Sequence, residues 1–415
     1  MTRRPNRATT KMLGFRKKQT GQTLVMMTGV LLLIASLLFA VTDMGKHARQ
    51  QFYLQSVADN AAYSAAVAMS RQMNFMALTN RALIGNQVAI AQWVGLASYL
   101  AMLERTAENL ETITSFIPYV AQITRAISMI VERIEESFAE VASRLVAFQT
   151  FVIRGISFAQ RALDANFVIQ LPLLINDVVS EHSEELNWNA FHGGGVLPFP
   201  SLWSLKADYK STENEENSQF LERLTIKSLD PFSLTRSYDW VDLYSFKVAK
   251  SGGTEVTRNN NGGWDWHGLD SVSLHTRRWL IGGFRETLPM GWGAKAQDQR
   301  RYRRSNYGGA FSVNSMSSSF GLSQMGSLNV EQDSFGYMRL NNLLVSSMDS
   351  VIVKIDNGEQ TAYAKAMTKF TRPKHIFPRS DSRVEMDNLF NSLWEASLKP
   401  LSSIDKAVFG GQEFI

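Results

Sequence analysis

The hydrophobic pattern divides the chain into three regimes. The first runs from Leu24 to Val41, where no charged residue occurs and only Thr28, Gly29 and Ser36 weaken the apolar run. At about 1.5 Å per residue this stretch spans about 27 Å, close to the roughly 30 Å hydrocarbon core of a bilayer. Its Leu, Ile, Phe and Val side chains, at about −0.3 to −0.6 kcal/mol each, contribute several kcal/mol towards insertion. A cleaved secretory signal has a shorter apolar region ending at a small-residue site. Here Ala40-Val41-Thr42 is a poor site and the helical pattern runs on, so a retained anchor over residues 22–43 is expected. A cleaved signal is the competing reading.

In the second regime, residues 50–103 contain no proline and are dense in Ala, Met and Leu, all good helix formers. They predict a helical stalk that ends before Pro118. From Ile127 the apolar positions Val131, Ile134, Phe138, Val141, Leu145, Phe148 and Val152 follow in alternating steps of four and three. That is a coiled-coil spacing. It fits an intramolecular hairpin back onto the stalk, or an intermolecular coiled coil. Pro172 and the polar stretch Ser180-Glu-His-Ser-Glu-Glu-Leu186 are expected to close this part, residues 44–186.

The third regime begins near residue 187, where Gly, Trp, Ser and Asn increase. Short β-like runs appear at 238–244, 271–274 and 351–355, separated by loop signals such as Asn259-Asn-Asn-Gly-Gly263. Residues 187–415 therefore predict a mixed, strand-containing domain with a late helix at 385–397. The fold class expected is α+β: a membrane helix continuing into a helical stalk or hairpin, then a mixed domain.

Charge sharpens the topology. The net charge is +5, yet residues 1–21 alone hold seven cations and no acid, so the rest of the chain is close to neutral. A basic tail before an apolar span predicts residues 1–21 in the cytoplasm and the bulk outside. A folded nucleic-acid-binding face is not indicated. The chain has no cysteine, which excludes disulfides, zinc thiolates and thiol nucleophiles.

Candidate chemistry is sparse. His192-Gly-Gly-Gly195 is like an esterase oxyanion loop, but no Gly-x-Ser-x-Gly elbow accompanies it, and a glycine turn before Pro198 and Pro200 is the simpler reading. His182 with Glu181 and Glu185 lacks the further ligands a helical metal site needs. Asp265, His267 and His275 have no specific spacing, and no phosphate-binding glycine loop exists. The one basic cluster beyond the tail is Arg300, Arg301, Arg303 and Arg304. It fits either a solvated loop or docking on an acidic surface. The tryptophans, among them Trp264, Trp266, Trp279 and Trp292, suit a core or an interaction surface. Asn60, Asn74, Asn80 and Asn86 recur in the stalk. Steps of six drift around a helix, so they fit buried pairing across helices no better than a solvated face.

Gly21-Gln22-Thr-Leu-Val25, the apolar span, Ala58-Asp-Asn-Ala-Ala-Tyr-Ser-Ala-Ala66 and the Asn74 to Gln92 run resemble the TadE/TadG-like family of Flp (tight adherence) pilus-assembly proteins. Asn80-Arg81 and Asn86, with Leu288-Pro-Met-Gly-Trp-Gly293 and Asn388-Leu-Phe-Asn-Ser-Leu-Trp394, are similar to its longer TadG-like branch. The resemblance implies an inner-membrane protein with a pilin-like N-terminal helix, partnered by the lipid bilayer and by pilus or secretion-machinery components. It implies no catalysis and no cofactor. The heptad spacing also allows a homo-oligomer. Two positions depart from the family. Counting from Gln22 after a cut at Gly21, Met26 stands where pilin-type leaders generally carry Glu. In Asp270-Ser-Val-Ser-Leu274, Val272 replaces the first serine of a von Willebrand-type metal loop, so no such site is expected. A membrane-anchored binding module or hydrolase on a stalk is the alternative.

Overall fold

The computed structural model describes residues 22–115, 118–192, 207–278, 282–298, 314–315, 326–341, 350–372, 378–381, 383 and 385–410. Helix α1 (Gln22–Thr114) is a single unbroken element of 93 residues, about 140 Å at helical rise. Helix α2 (Pro118–Ser180) opens on the proline that sequence placed at the break, where a missing N–H costs nothing. It returns antiparallel along α1: Thr124 hydrogen-bonds Thr114, Gln160 reaches Asn80, and His182 lies beside Asn60.

Two expectations for α2 are corrected. Pro172 does not close the helix, which continues to Ser180. Leu171, Ile175 and Val179 around the proline are buried in a core, and their packing offsets the lost backbone bond. Secondly, the stripe from Ile127 to Val152 is not one seam. Val131, Phe138, Leu145 and Val152 are half-buried, whereas Ile127, Ile134, Val141 and Phe148 face solvent. The buried positions along this part of the helix are instead Ser128, Glu135, Ala142, Val146, Thr150, Ile153, Ser157 and Gln160.

After α2 the chain forms β1 (Asn187–His192), β2 (Ala207–Ser211), α3 (Glu215–Ser228), α4 (Pro231–Leu234), β3 (Tyr238–Asp242), β4 (Phe246–Arg258), β5 (Trp264–Arg277), β6 (Phe284–Ala296), β7 (Gly326–Ser327), β8 (Gly336–Leu340), β9 (Ser350–Asp356), β10 (Thr361–Phe370), β11 (Trp394–Lys399) and α5 (Ser403–Gly410). The architecture is α+β. Among the described residues three sheets order as β1-β9-β10-β11, β2-β8 and β3-β4-β5-β6-β7, all antiparallel except the short β6–β7 pair.

These sheets lie along the helices and share two cores with them. In the first, Ala58, Ala61, Ala62, Ala65 and Ala66 of α1 meet Ala362, Ala364 and Ala366 of β10, with Met69, Met73 and Met76 filling the gaps. Small residues on both sides bring helix and sheet into close approach, and each buried methionine adds about 1.5–3 kcal/mol. The β9–β10 turn uses Gly358 at φ 87°, a conformation glycine adopts freely. In the second core, Ile90, Ala91, Val94 and Ala97 pack with Trp264, Trp266 and Tyr337.

The run 385–397 is not helical. Among its described residues 385–393 form a loop, and β11 starts at Trp394. The Asn388 carboxamide accepts from the Phe390 and Asn391 N–H groups, an Asx turn that competes with helix.

Candidate anchor and assembly surface

Two helical stretches among the described residues are long and apolar enough to cross a membrane, one in α1 near the N-terminus and one in α2. The first is not buried at any point, and the second is partly buried. Contact with the strands begins just beyond the first. His47 and Gln51 meet the β9–β10 hairpin through Gln360 and the Thr361 carbonyl. Tyr53 donates to the His182 carbonyl and sits edge-on to its ring. No flexible connection separates the apolar stretch from the folded body.

The stalk asparagines divide by what they bond. Asn80 is buried; its Nδ2 donates to the Met338 and Leu389 carbonyls at 2.7 and 2.6 Å. Its Oδ1 accepts from the Met338 N–H at 3.1 Å and from Gln160 Nε2 at 2.8 Å. Asn74 repeats the arrangement on Trp394, donating to its carbonyl at 2.8 Å and accepting from its N–H at 3.0 Å. A carboxamide carries the same donor and acceptor as a peptide group, so each asparagine pairs with a strand residue as a neighbouring strand would. The six-residue step turns the two side chains towards different strands, β11 and β8. Asn60 is exposed and lies 3.5 Å from His182, and Asn86 bonds its own helix at Ala82. Arg81 is exposed and lines an apolar hollow of about 390 Å³ with Ile84, Val88, Leu224 and Phe390. Of the candidate leader edge, Gln22 begins α1, while Gly21 lies outside the described residues. Arg300, Arg301, Arg303 and Arg304, the Gly193–Gly195 turn and Trp279 also lie outside them.

Sequence reasoning missed the most strongly charged group of the interior. Asp270, in the middle of β5, is fully buried and accepts from Arg236 Nε and Nη2 at 2.8 and 2.9 Å. Lys250 Nζ and Ser98 Oγ also bond its carboxylate. Burial alone would raise the Asp270 pKa, but Arg236 and then Lys250 hold it below the usual carboxylate range. Burial pushes the Lys250 ammonium down to about 8, against the pull of Asp270. Arg236 is satisfied further by the Phe232 and Gly253 carbonyls and Thr254 Oγ1. Two cations thus converge on one carboxylate between α1 and the five-stranded sheet. An aspartate in a serine-rich strand gave no hint of its partners, which are 20 and 34 residues away in sequence.

Around this group the helix lies directly on strand backbone. A side chain at Gly268, Gly291 or Gly293 would overlap Ser98, Thr106 or the Met102 amide of α1. Glycine is required there for the approach rather than for a turn.

Asp270 of the Asp-Ser-Val-Ser run is committed to its ion pairs, and His267 lies 3.4 Å from Asp265 in the interior. Among the described residues no three His, Asp or Glu side chains group as metal ligands. A polar cleft of about 340 Å³ lined by Tyr238, Lys247, Ser271, His275, Glu286 and Asn314 opens beside the buried charges.

Residues 21–68 match the TadE/G-like Flp pilus-assembly family. That segment covers the apolar stretch and the first alanine-rich turns that meet β9 and β10. No curated protein and no solved structure matches the chain.

Proposed function

We propose that this chain is a single-pass inner-membrane component of a pilus-assembly apparatus, a structural or minor-pilin-like protein without catalytic activity. Residues 1–21 lie in the cytoplasm, 22–43 cross the bilayer, and the helix pair (44–186) with the strand-bearing part (187–415) projects outside. Its partners are the lipid bilayer and other pilus or secretion-machinery components, with no nucleic acid. One observation carries the reading: the segment matching the TadE/G-like family is a helix that leaves an exposed apolar stretch and enters the core without interruption. Seven cations preceding the span support the orientation.

Intact mass and N-terminal sequencing of the protein from inner-membrane and sheared-surface fractions test this. An uncut chain confined to the inner membrane is the expected result and makes it an anchored assembly factor. A chain starting at Gln22 in sheared material makes it a processed minor pilin, and a chain found only in soluble fractions overturns the proposal. The polar cleft beside Tyr238 favours a second reading, an anchored binding module. Stoichiometric glycan binding to the purified chain, lost in Glu286→Ala, is the result that would support it.

A further inference from the structure

A helix that packs once needs one apolar stripe, and α2 has two. The stripe turned inward includes Ala142, Val146 and Ile153, with Val131, Phe138, Leu145 and Val152 at its margin. A second stripe is formed by Ile123, Ile127, Ile130, Ile134, Val141, Phe148, Phe151 and Phe158. These side chains are 49–74 % exposed. Their spacings are four, three, four, seven, seven, three and seven, which places every one at an a or d position of a single heptad frame. Ser137 and Arg144 fill two intervening d positions, and Arg144 is bonded to Glu140 on its own helix at 2.5 Å.

From this stripe we propose that α2 is a homotypic docking surface, on which a second copy of the chain lays the same stripe in parallel, in-register contact. The proposal rests on the anchored topology described above. Three observations select the occupant. The area is right: eight large apolar side chains, at roughly 100 Å² each, present on the order of 800 Å² per partner, the size of a standard stable interface. The direction is fixed, because copies anchored in one membrane hold their α2 helices parallel, which sets a against a and d against d. The residues suit that arrangement, since Ile127, Ile134 and Val141 place β-branched side chains at successive a positions, where parallel coiled coils use them.

The bilayer is a poorer occupant. Gln160 sits opposite Asn80 and Thr124 opposite Thr114. At helical rise these points lie about 60 and 110 Å along α1 from Val41, beyond the reach of lipid. Exposed Arg133 and Glu140, at g positions, flank the stripe, as charges flank a coiled-coil seam in water.

The chain has no native cysteine, so single-cysteine variants of the full chain read the contact directly. Ile127→Cys, Ile134→Cys, Val141→Cys and, as an off-seam control, Glu132→Cys are reconstituted in vesicles and oxidised with copper phenanthroline. Covalent dimers at the three seam positions, at least fivefold above Glu132→Cys, are expected. The variant I127E/I134E/V141E, changed only at exposed positions, should keep its melting temperature within 2 °C and run as a monomer where the parent runs as a dimer. Equal crosslinking at all four positions, or none, overturns the proposal. So does quenching of a bimane on the seam cysteines by lipid-borne nitroxides, which would place the stripe in the bilayer. Crosslinking to a different protein in native membranes, with none between copies, overturns it as well. None of these readouts depends on N-terminal processing or fractionation, so failure here leaves the fractionation result standing. Soluble, unanchored protein in that fractionation would remove the basis for parallel pairing.

Discussion

Asp270→Asn tests whether the buried charges between α1 and the five-stranded sheet are as tightly coupled as their geometry implies. The wild-type site holds two cations against one carboxylate, all without solvent exposure. The amide keeps the shape and can still accept hydrogen bonds, but it leaves Arg236 and Lys250 facing each other without a counter-charge. Uncompensated buried charge of this kind costs about 3–5 kcal/mol. At about 2–4 °C per kcal/mol, the tryptophan-fluorescence melting temperature of the purified full chain should fall by roughly 6–20 °C. Lys250→Met has the opposite electrostatic logic, since it leaves a neutral Arg236–Asp270 pair, and should change stability by no more than about 1.5 kcal/mol. The double variant should be more stable than Asp270→Asn alone, because one stranded cation is gone. pH adds a second readout. Folded Lys250 releases its proton near 8, whereas an unfolded lysine does so near 10.4. Between those values the unfolded chain binds more protons, so wild-type stability gains a component that rises with pH, and Lys250→Met loses it. If Asp270→Asn proves no worse than Lys250→Met, or the two losses simply add, the coupled-charge reasoning is wrong.

Asn80→Ala removes the partner of both Met338 backbone groups, of the Leu389 carbonyl and of Gln160. It should cost about 2–4 kcal/mol in thermal or denaturant unfolding, against less than about 0.5 kcal/mol for Asn86→Ala. Gly293→Ala drives a methyl into the Met102 amide of α1 and should destabilise by about 1–3 kcal/mol, read as faster proteolysis of the strand region. The Asp164 carboxyl is pushed up to about 6 by burial and then by Asp208, and its buried Oδ1 has no hydrogen-bond partner among the described residues. The folded chain therefore holds the proton to higher pH, and wild-type stability falls as pH rises from about 4 to 6. Asp164→Asn should flatten that slope and gain at most about 1 kcal/mol at pH 7 after screening, measured by melting at pH 5 and pH 7.

The long helices were legible because their signals are local and redundant. An apolar run of bilayer length, an alanine-rich stretch without proline, and Pro118 as a break all agreed, and α1 and α2 followed. Pro172 misled because one backbone bond weighs less than three core side chains around it. Short β-branched runs revealed β3 and β9, but β4 and β6 were hidden by the residues that let them pack. Gly252 and Gly253 in β4, and Gly291 and Gly293 in β6, read as loops, and Pro289 reads as a breaker. In the sheet that proline sits beside a register shift opposite Val272 and Ser273, where a strand tolerates it. The stalk asparagines were visible as a set, but the strand partners of Asn74 and Asn80 lie some 250–320 residues later, beyond any periodicity. The inner face of α2 was misjudged by about one position, because helix pairing in this chain competes with sheet packing for the same side chains.

The uninterrupted passage of α1 from apolar stretch to core has a mechanical consequence. A body hung on a flexible tether would hold its orientation independently of its anchor, whereas this one has no joint to bend. A membrane helix leaning by about 20°, an ordinary tilt, would carry the far end of the hairpin, roughly 100 Å away, about 35 Å sideways. Tension along the shaft would load the sheets in shear, spread from Leu54 to Asn109, instead of peeling them one contact at a time. Aim and load-bearing at the distal tip are thus set by how the first helix sits in its membrane.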